Sequence, residues 1–472
     1  MNQVRVRIGG ALRSADAWDD VTNPYDGSLV ARVPVCGKEE VEDACQAAAD
    51  ALRRAEFGQH ERAAVLDRAA ALLDGRREEF ARTITLEAGK PIRDARGEVA
   101  RCLDTLRFSA AEARRLSGEV VPMEASAAGA GRIGLALRVP VGVVAAITPF
   151  NFPLNLVAHK LAPAVAAGCP VVLKPAEDTP LSAIRLVDLL VEAGLPADWI
   201  SVVTGTGPDV GQPLVQHHVP RLVSFTGSLP VGRAIGREAS DKRVALELGS
   251  NAPVIVQPDA DLSDVAHRLR TAGYSFAGQS CISTQRVLVH RDVKDDLTAR
   301  LAAEVAALVV GDPFDDATEV GPMIRPREIE RVCRWLDEAV SGGGRVLTGG
   351  DVRGGLLMPT LVDEPPPGSD LVRREVFGPV LTVTAYDTFD DAVALANDSD
   401  FGLHVGVFTR DIGLALQAIR RLDYGGVLVN EVPTFRADQQ PYGGTRDSGN
   451  TREGPAYAVA EMTDLRFALI SA

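Results

Sequence analysis

The run VGVVAAI at 141–147 constrains this chain more than any other stretch. It is apolar without alternation and rich in Val and Ile, so it reads as a strand buried on both faces, as in a parallel sheet covered by helices. The residues beyond it repeat the theme. Helical periodicity covers 154–167, 181–193 and 230–239, and short apolar strands fall at 170–174, 200–203, 222–225 and 244–248. Strand–helix alternation of this kind predicts an open parallel sheet with right-handed crossovers, whose ligands bind beyond the carboxyl ends of the strands. The loops at those ends are TPFN, KPAE, TGTG, FTGS and ELGSN, and they are expected to hold a cofactor.

A second alternation begins after residue 251. Strands are predicted at 253–256, 287–290, 380–385 and 405–409, and helices at 262–276, 294–309, 328–340 and 389–397. The turn-rich segment 341–355 reads as a surface excursion. Ahead of both sheets, residues 1–35 suggest an antiparallel lead-in with an NPYDG turn. Three helical stretches come next at 39–56, 61–89 and 94–117, the second stopped by Gly89 and Pro91. Arg101 and Arg107 fall on the third and read first as a solvated face. Residues 133–139 alternate like a strand, PYGGTRDSGNTREGP reads as a Gly-rich loop, and 456–472 as a terminal strand. No internal repeat or low-complexity linker separates the halves.

Composition narrows the function. A formal net charge of −14 over 472 residues argues against a nonspecific grip on nucleic acid. The six cysteines include no C-x-x-C pair, so neither a disulfide framework nor a metal site is suggested. No apolar run is long enough to span a bilayer, and the first residues lack a signal core, so no membrane role and a cytoplasmic setting are expected.

The chemistry concentrates in FAGQSCISTQR, where small residues flank Cys281. An accessible thiol beside free backbone N–H groups suits a nucleophile, although most free cysteines are simply buried. Glu247 ends a strand that is otherwise apolar around it, a setting for a raised pKa and general-base work, unless a cation pairs with it. Asn151 offers an amide that either stabilises an oxyanion or caps the next helix. Lys174 and Glu177 in KPAE either reach ribose hydroxyls or are surface charges. Thr226, Gly227 and Ser228 open a helix that suits a pyrophosphate or is an ordinary N-cap. The glycines of TGTGPDVG lie one residue off the usual dinucleotide spacing, a weak signal alone.

In order and spacing, TPFNFPLN, KPAE, FTGS, LELGSNAP, GQSC and EVFGPV resemble the NAD(P)-dependent aldehyde dehydrogenase superfamily, from about residue 23 to the end. NLVAHKLAP, AGQSCISTQRVLVH, VPTFRADQQPYGG and REGPAYAVAEMT are similar to its lactaldehyde, non-phosphorylating glyceraldehyde-3-phosphate and phosphonoacetaldehyde dehydrogenase branch. The resemblance implies an α/β fold with a Rossmann-type cofactor domain (1–117 and 138–249), an α/β catalytic domain (250–448) and a small β oligomerisation arm (118–137 and 449–472). It implies a homodimer or homotetramer.

By the same resemblance Cys281 is the nucleophile, Asn151 the oxyanion donor and Glu247 the activator of water. Lys160 would support the neighbourhood of Asn151. NAD, with NADP possible, would be held by Ile147, Thr148, Lys174, Glu177, Gly207, Phe225, Ser228, Gly249, Glu375 and Phe377. Arg107, Phe152, His159, Ser280, Arg436 and Tyr442 would face the substrate, and the cations among them imply a small polar or anionic aldehyde. Ser280 departs from members that carry Arg before the nucleophile, which leaves a neutral hydroxyaldehyde such as lactaldehyde open. Ser250 stands where Gly is frequent. The competing readings are a CoA-acylating semialdehyde dehydrogenase, a succinate-type semialdehyde dehydrogenase, and a non-catalytic protein that keeps the fold.

Overall fold

The chain folds around two largely parallel sheets. The structure is a computed structural model and describes residues 3–54 and 57–471. The first sheet has five parallel strands in the order Arg243–Glu247, Pro220–Thr226, Val143–Ile147, Val171–Lys174 and Ile200–Val202. All five residues of Val143–Ile147 are buried, as a central strand covered on both faces requires. The second sheet has seven strands, parallel except for its edge strand Arg345–Thr348, which runs antiparallel to Thr360–Asp363. Glu119–Val121, Arg132–Pro140 and Thr463–Ser471 form a separate three-stranded antiparallel arm.

The order of the first sheet follows from the sequence pattern, and the helices differ from it in one instructive place. The predicted stretch 61–89 is two helices, Gln59–Asp74 and Arg77–Ala88, broken at Gly75. Both pack their Ala and Leu against the same long helix, Ile92–Arg115, so the apolar spacing runs through the break and hides it. The last two residues of the 39–56 prediction lie outside the described residues, as does Ala472 of the predicted terminal strand. That terminal segment begins with a helix, Pro455–Glu461, before its strand. The excursion 341–355 supplies the edge strand Arg345–Thr348 to the second sheet. Strands Thr360–Asp363 and Gly426–Val429 and helix Ile412–Arg421 were not anticipated.

Two buried glutamates tie the helical preface to the first sheet. Glu87 accepts from the N–H groups of Leu181 and Ser182, and Glu98 from those of Leu154 and Asn155. Each carboxylate therefore caps a crossover helix whose own N-cap residue, Pro180 or Leu154, makes no side-chain bond. Among the described residues no helix is long and apolar enough to cross a membrane.

Candidate active site

A cavity of about 790 Å³ lies at the carboxyl ends of the first sheet, and all five predicted loops line it. Its apolar walls include Ile147, Phe225, Val231, Ile235 and Leu248, and its polar rim is set by Lys174, Glu177 and Ser228. Such walls suit a planar aromatic base, and the rim suits hydroxyls and a diphosphate. Ser228 precedes helix Leu229–Glu238 and its side chain makes no cap bond, so the helix start faces the cavity. Thr148 Oγ1 is buried with no partner among the described residues. Gly249 leaves room for Glu375: a β-carbon there would lie 2.4 Å from its carboxylate oxygen and push it aside. Every predicted cofactor residue, from Ile147 to Phe377, lines this cavity.

Two of the rim charges carry more than the sequence indicated. Burial lowers the pKa of Lys174, and its ammonium lies 3.7 Å from Glu177. Glu177 accepts from the Gly207 N–H at 3.0 Å, which folds the TGTG loop onto the KPAE loop. Arg325, which nothing in the sequence pattern singles out, pairs with Asp178 at 2.7 Å and reaches Glu177 at 3.7 Å, joining the two halves across the rim.

At the inner end of the cavity sits Cys281. Three consecutive left-handed residues, Phe276, Ala277 and Gly278, turn the chain before it. For Phe and Ala that conformation costs energy and is held by surrounding contacts. Gln279 supplies them: its side-chain amide donates to the Phe276 carbonyl, and its Oε1 accepts from the Ile324 N–H at 2.9 Å. Asn151 Nδ2 donates to the Gln279 carbonyl at 3.0 Å, placing the predicted oxyanion donor against the thiol loop. Burial pushes the Cys281 thiol up to about 12, with Tyr442 and Arg436 pulling the other way. Its Sγ lies 2.7 Å from Tyr442 Oη.

Glu247 ends its strand with both carboxylate oxygens buried and without a hydrogen-bond partner among the described residues. Burial first, and Glu453 second, drive its pKa well above the carboxylate range. The Gly-rich loop holds it there. Ser448 O accepts from Leu248 N–H, Asn450 clasps both sides of Leu246, and a β-carbon at Gly443 would lie 2.7 Å from Glu247 Oε1.

Behind these groups is a buried charge network. Arg436 pairs with Glu453 at 2.8 Å, and Lys160 lies 3.7 Å from the same carboxylate. Burial opposes its charge, but Arg436 and Lys160 bring the Glu453 carboxyl down to about 2. His159 Nε2 lies 2.9 Å from Asp438 and 3.2 Å from Arg436, and burial holds this imidazole neutral by lowering its pKa. Lys160 was expected beside Asn151; it donates instead to Ser224 at 3.0 Å.

The substrate set is partly corrected. Arg107 is 53% exposed, within ion-pair range of Asp74 and Asp104, and takes no part in the site. Earlier on the same helix, Arg101 is 28% exposed and forks onto Asp438 at 2.8 and 3.2 Å. Phe152, His159, Arg436 and Tyr442 do cluster, with Phe152 5.8 Å from the Arg101 guanidinium. Ser280 adjoins Cys281 at intermediate burial. The sequence pattern gave no sign of Asp438 and Glu453, whose partners lie up to 337 residues away, so no local signal marks them. Nor did it point to Lys90, which is buried, pairs with Glu98, and sits 3.8 Å over Phe152 and 4.7 Å over Phe276. That ammonium bridges the loops that carry Asn151 and Cys281.

A cavity at the carboxyl ends of a parallel sheet, with apolar walls, a polar rim and the Cys281 thiol in its lining, fits the class of dinucleotide-dependent oxidoreductases. Comparison with known proteins makes the class particular. The chain belongs to the aldehyde dehydrogenase family, whose profile matches residues 13–468. It is 44% identical over 471 residues to a 3-sulfolactaldehyde dehydrogenase of Priestia aryabhattai, covering 100% of this chain and 98% of that one. It is 37% identical to a lactaldehyde dehydrogenase of Methanococcus vannielii, covering 96% and 97%. Among solved structures it resembles the NADP-dependent glyceraldehyde-3-phosphate dehydrogenase of Bacillus halodurans in complex with NADP, at a TM-score of 0.97, 35% identity and coverage of 100% of both chains. The predicted α/β architecture and the family resemblance both hold.

Proposed function

We propose that this enzyme oxidises a small polar or anionic aldehyde to its carboxylate through a thioester on Cys281. The observation that carries the reading is the cavity end where Asn151 lies against the Cys281 loop, with the unpartnered Glu247 close enough behind it to act on the thiol. The thiolate adds to the carbonyl carbon, and the π electrons move to oxygen. One N–H of Asn151 is committed to Gln279, leaving the other, with the Cys281 N–H, for that oxyanion. NAD(P)⁺, when bound, supplies the acceptor for the hydride that leaves the former aldehyde carbon, and a thioester to Sγ remains. Glu247 takes a proton from water, the hydroxide attacks the thioester, and the thiolate leaves. An orphaned carboxylate with a raised pKa is a strong base once ionised, and that argues against a CoA-acylating or non-catalytic reading.

Glu177 on the rim favours NAD⁺, because its charge opposes a 2′-phosphate. Arg101, 28% exposed and beside Phe152, takes the place expected of Arg107 and supports an anionic aldehyde over an apolar one. The names of the sulfolactaldehyde and glyceraldehyde-3-phosphate relatives agree with that class. We assign 1–117 and 138–249 to cofactor binding, 250–448 to catalysis, and 118–137 with 449–472 to oligomerisation. The exposed Val120, Ile133, Leu137, Leu465, Phe467 and Leu469 of the arm support assembly into a homo-oligomer. Six unpaired cysteines fit a cytoplasmic setting.

Stopped-flow NADH formation with Glu247→Gln and Cys281→Ala tests the chemistry. The first is expected to give one equivalent of NADH and then stall, and the second none. Steady turnover by either variant defeats the mechanism.

A further inference from the structure

We propose that Tyr442 is a catalytic residue whose phenol O–H donates to the Cys281 thiolate and fixes Sγ before the aldehyde arrives. The proposal rests on the reading of Cys281 as nucleophile and goes beyond it.

The ring is fully buried and clamped. His404 packs edge-on at 5.1 Å, and the Arg436 guanidinium lies 3.7 Å from the ring centroid. The backbone is pinned by paired hydrogen bonds with Glu453, and Arg436 cannot swing away because Glu453 and His159 hold it. Phenylalanine would satisfy all of these ring contacts. The hydroxyl adds one thing: among the described residues its hydrogen-bond partner is Cys281 Sγ, at 2.7 Å. A buried hydroxyl with a single partner is placed for that partner.

The charges around the thiol explain why a donor is needed there. Glu247 faces it from the first sheet and Glu375 from the EVFGPV loop, and both disfavour a thiolate. Arg436 and Tyr442, from the loop before and within PYGG, favour it. Burial keeps the phenol protonated, so it remains a donor wherever the thiol ionises first. The guanidinium over its ring polarises the O–H further. Arg436, read from sequence as a substrate anchor, thus also acts as a positioning residue through Tyr442.

The test is the pH profile of Cys281 alkylation by iodoacetamide, followed by mass spectrometry on the intact protein without aldehyde, with Cys281→Ala as the blank. A hydrogen bond to a charged acceptor is worth enough that Tyr442→Phe should move the profile up by about one to two pH units. Alkylation below the midpoint should slow by about 10- to 100-fold. 3-Fluorotyrosine placed at position 442 keeps the shape and strengthens the donor, so its profile should move down. Unshifted profiles in both would overturn the assignment. If alkylation of Cys281 left turnover intact, the nucleophile reading itself would fail. If it killed turnover while Tyr442→Phe shifted nothing, the Tyr442 assignment alone would fail.

Discussion

The two sides of the reacting thiol are built on opposite principles. In front is a wide cavity with mostly apolar walls, where Glu375 is raised by burial to about 7. Behind is a tightly packed set of ions in which Arg436, Lys160 and Glu453 satisfy one another and hold Glu453 at about 2. The front is arranged to gain its missing partners from ligands. The back pairs its charges within the protein, and its function is to hold residues still.

The sharpest way to break this contrast is to damage the back. Glu453→Gln leaves Arg436 buried without its counter-charge and should cost about 3–5 kcal/mol of stability, read from urea unfolding. An equivalent loss in the front should appear in binding instead. Gly249→Ala forces Glu375 aside and should weaken dinucleotide binding by about tenfold or more with little change in Tm, read by quenching of protein fluorescence. A smaller effect separates the sides by pH. Glu453 has a folded pKa below its unfolded value, so its stabilisation is present above about 4.5 and is lost as pH falls toward about 2. Glu375 has a raised folded pKa, so the protein loses stability as pH rises from about 4.5 to about 7. Glu375→Gln should lessen that decline, leaving the share of Glu87, which burial also raises to about 7, and should leave the acid limb unchanged. The least effect is expected from Arg107→Ala, within about 0.5 kcal/mol and with unchanged kcat/KM, because its ion pairs are exposed.

The front of the site is legible in sequence and the back is not. Strand ends and the loops after them follow from local apolar runs, so TPFN, KPAE, TGTG, FTGS and ELGSN can be assigned to one cavity from the pattern alone. Family resemblance supplies Cys281, Glu247 and Asn151; the structure sets Asn151 against the Cys281 loop and Glu247 near enough to disfavour its thiolate. The back depends on pairings across hundreds of residues. Periodicity on helix Ile92–Arg115 cannot say whether Arg101 or Arg107 turns inward, because that depends on Asp438 in a distant loop. The break at Gly75 is invisible for a similar reason: two helices share one packing partner, and the pattern records the partner.

The long-range caps from Glu87 and Glu98 bear on how the chain assembles. The two crossover helices owe their first turns to carboxylates 94 and 56 residues upstream. Each helix therefore closes its N-terminus only when the preface has docked, and loop closure over such distances is slow compared with helix propagation. The preface precedes the sheet along the chain, so it is expected to serve as the template on which the sheet is sealed. In hydrogen-exchange pulse labelling during refolding, the amides of Leu154, Asn155, Leu181 and Ser182 should gain protection together, after the helices they belong to.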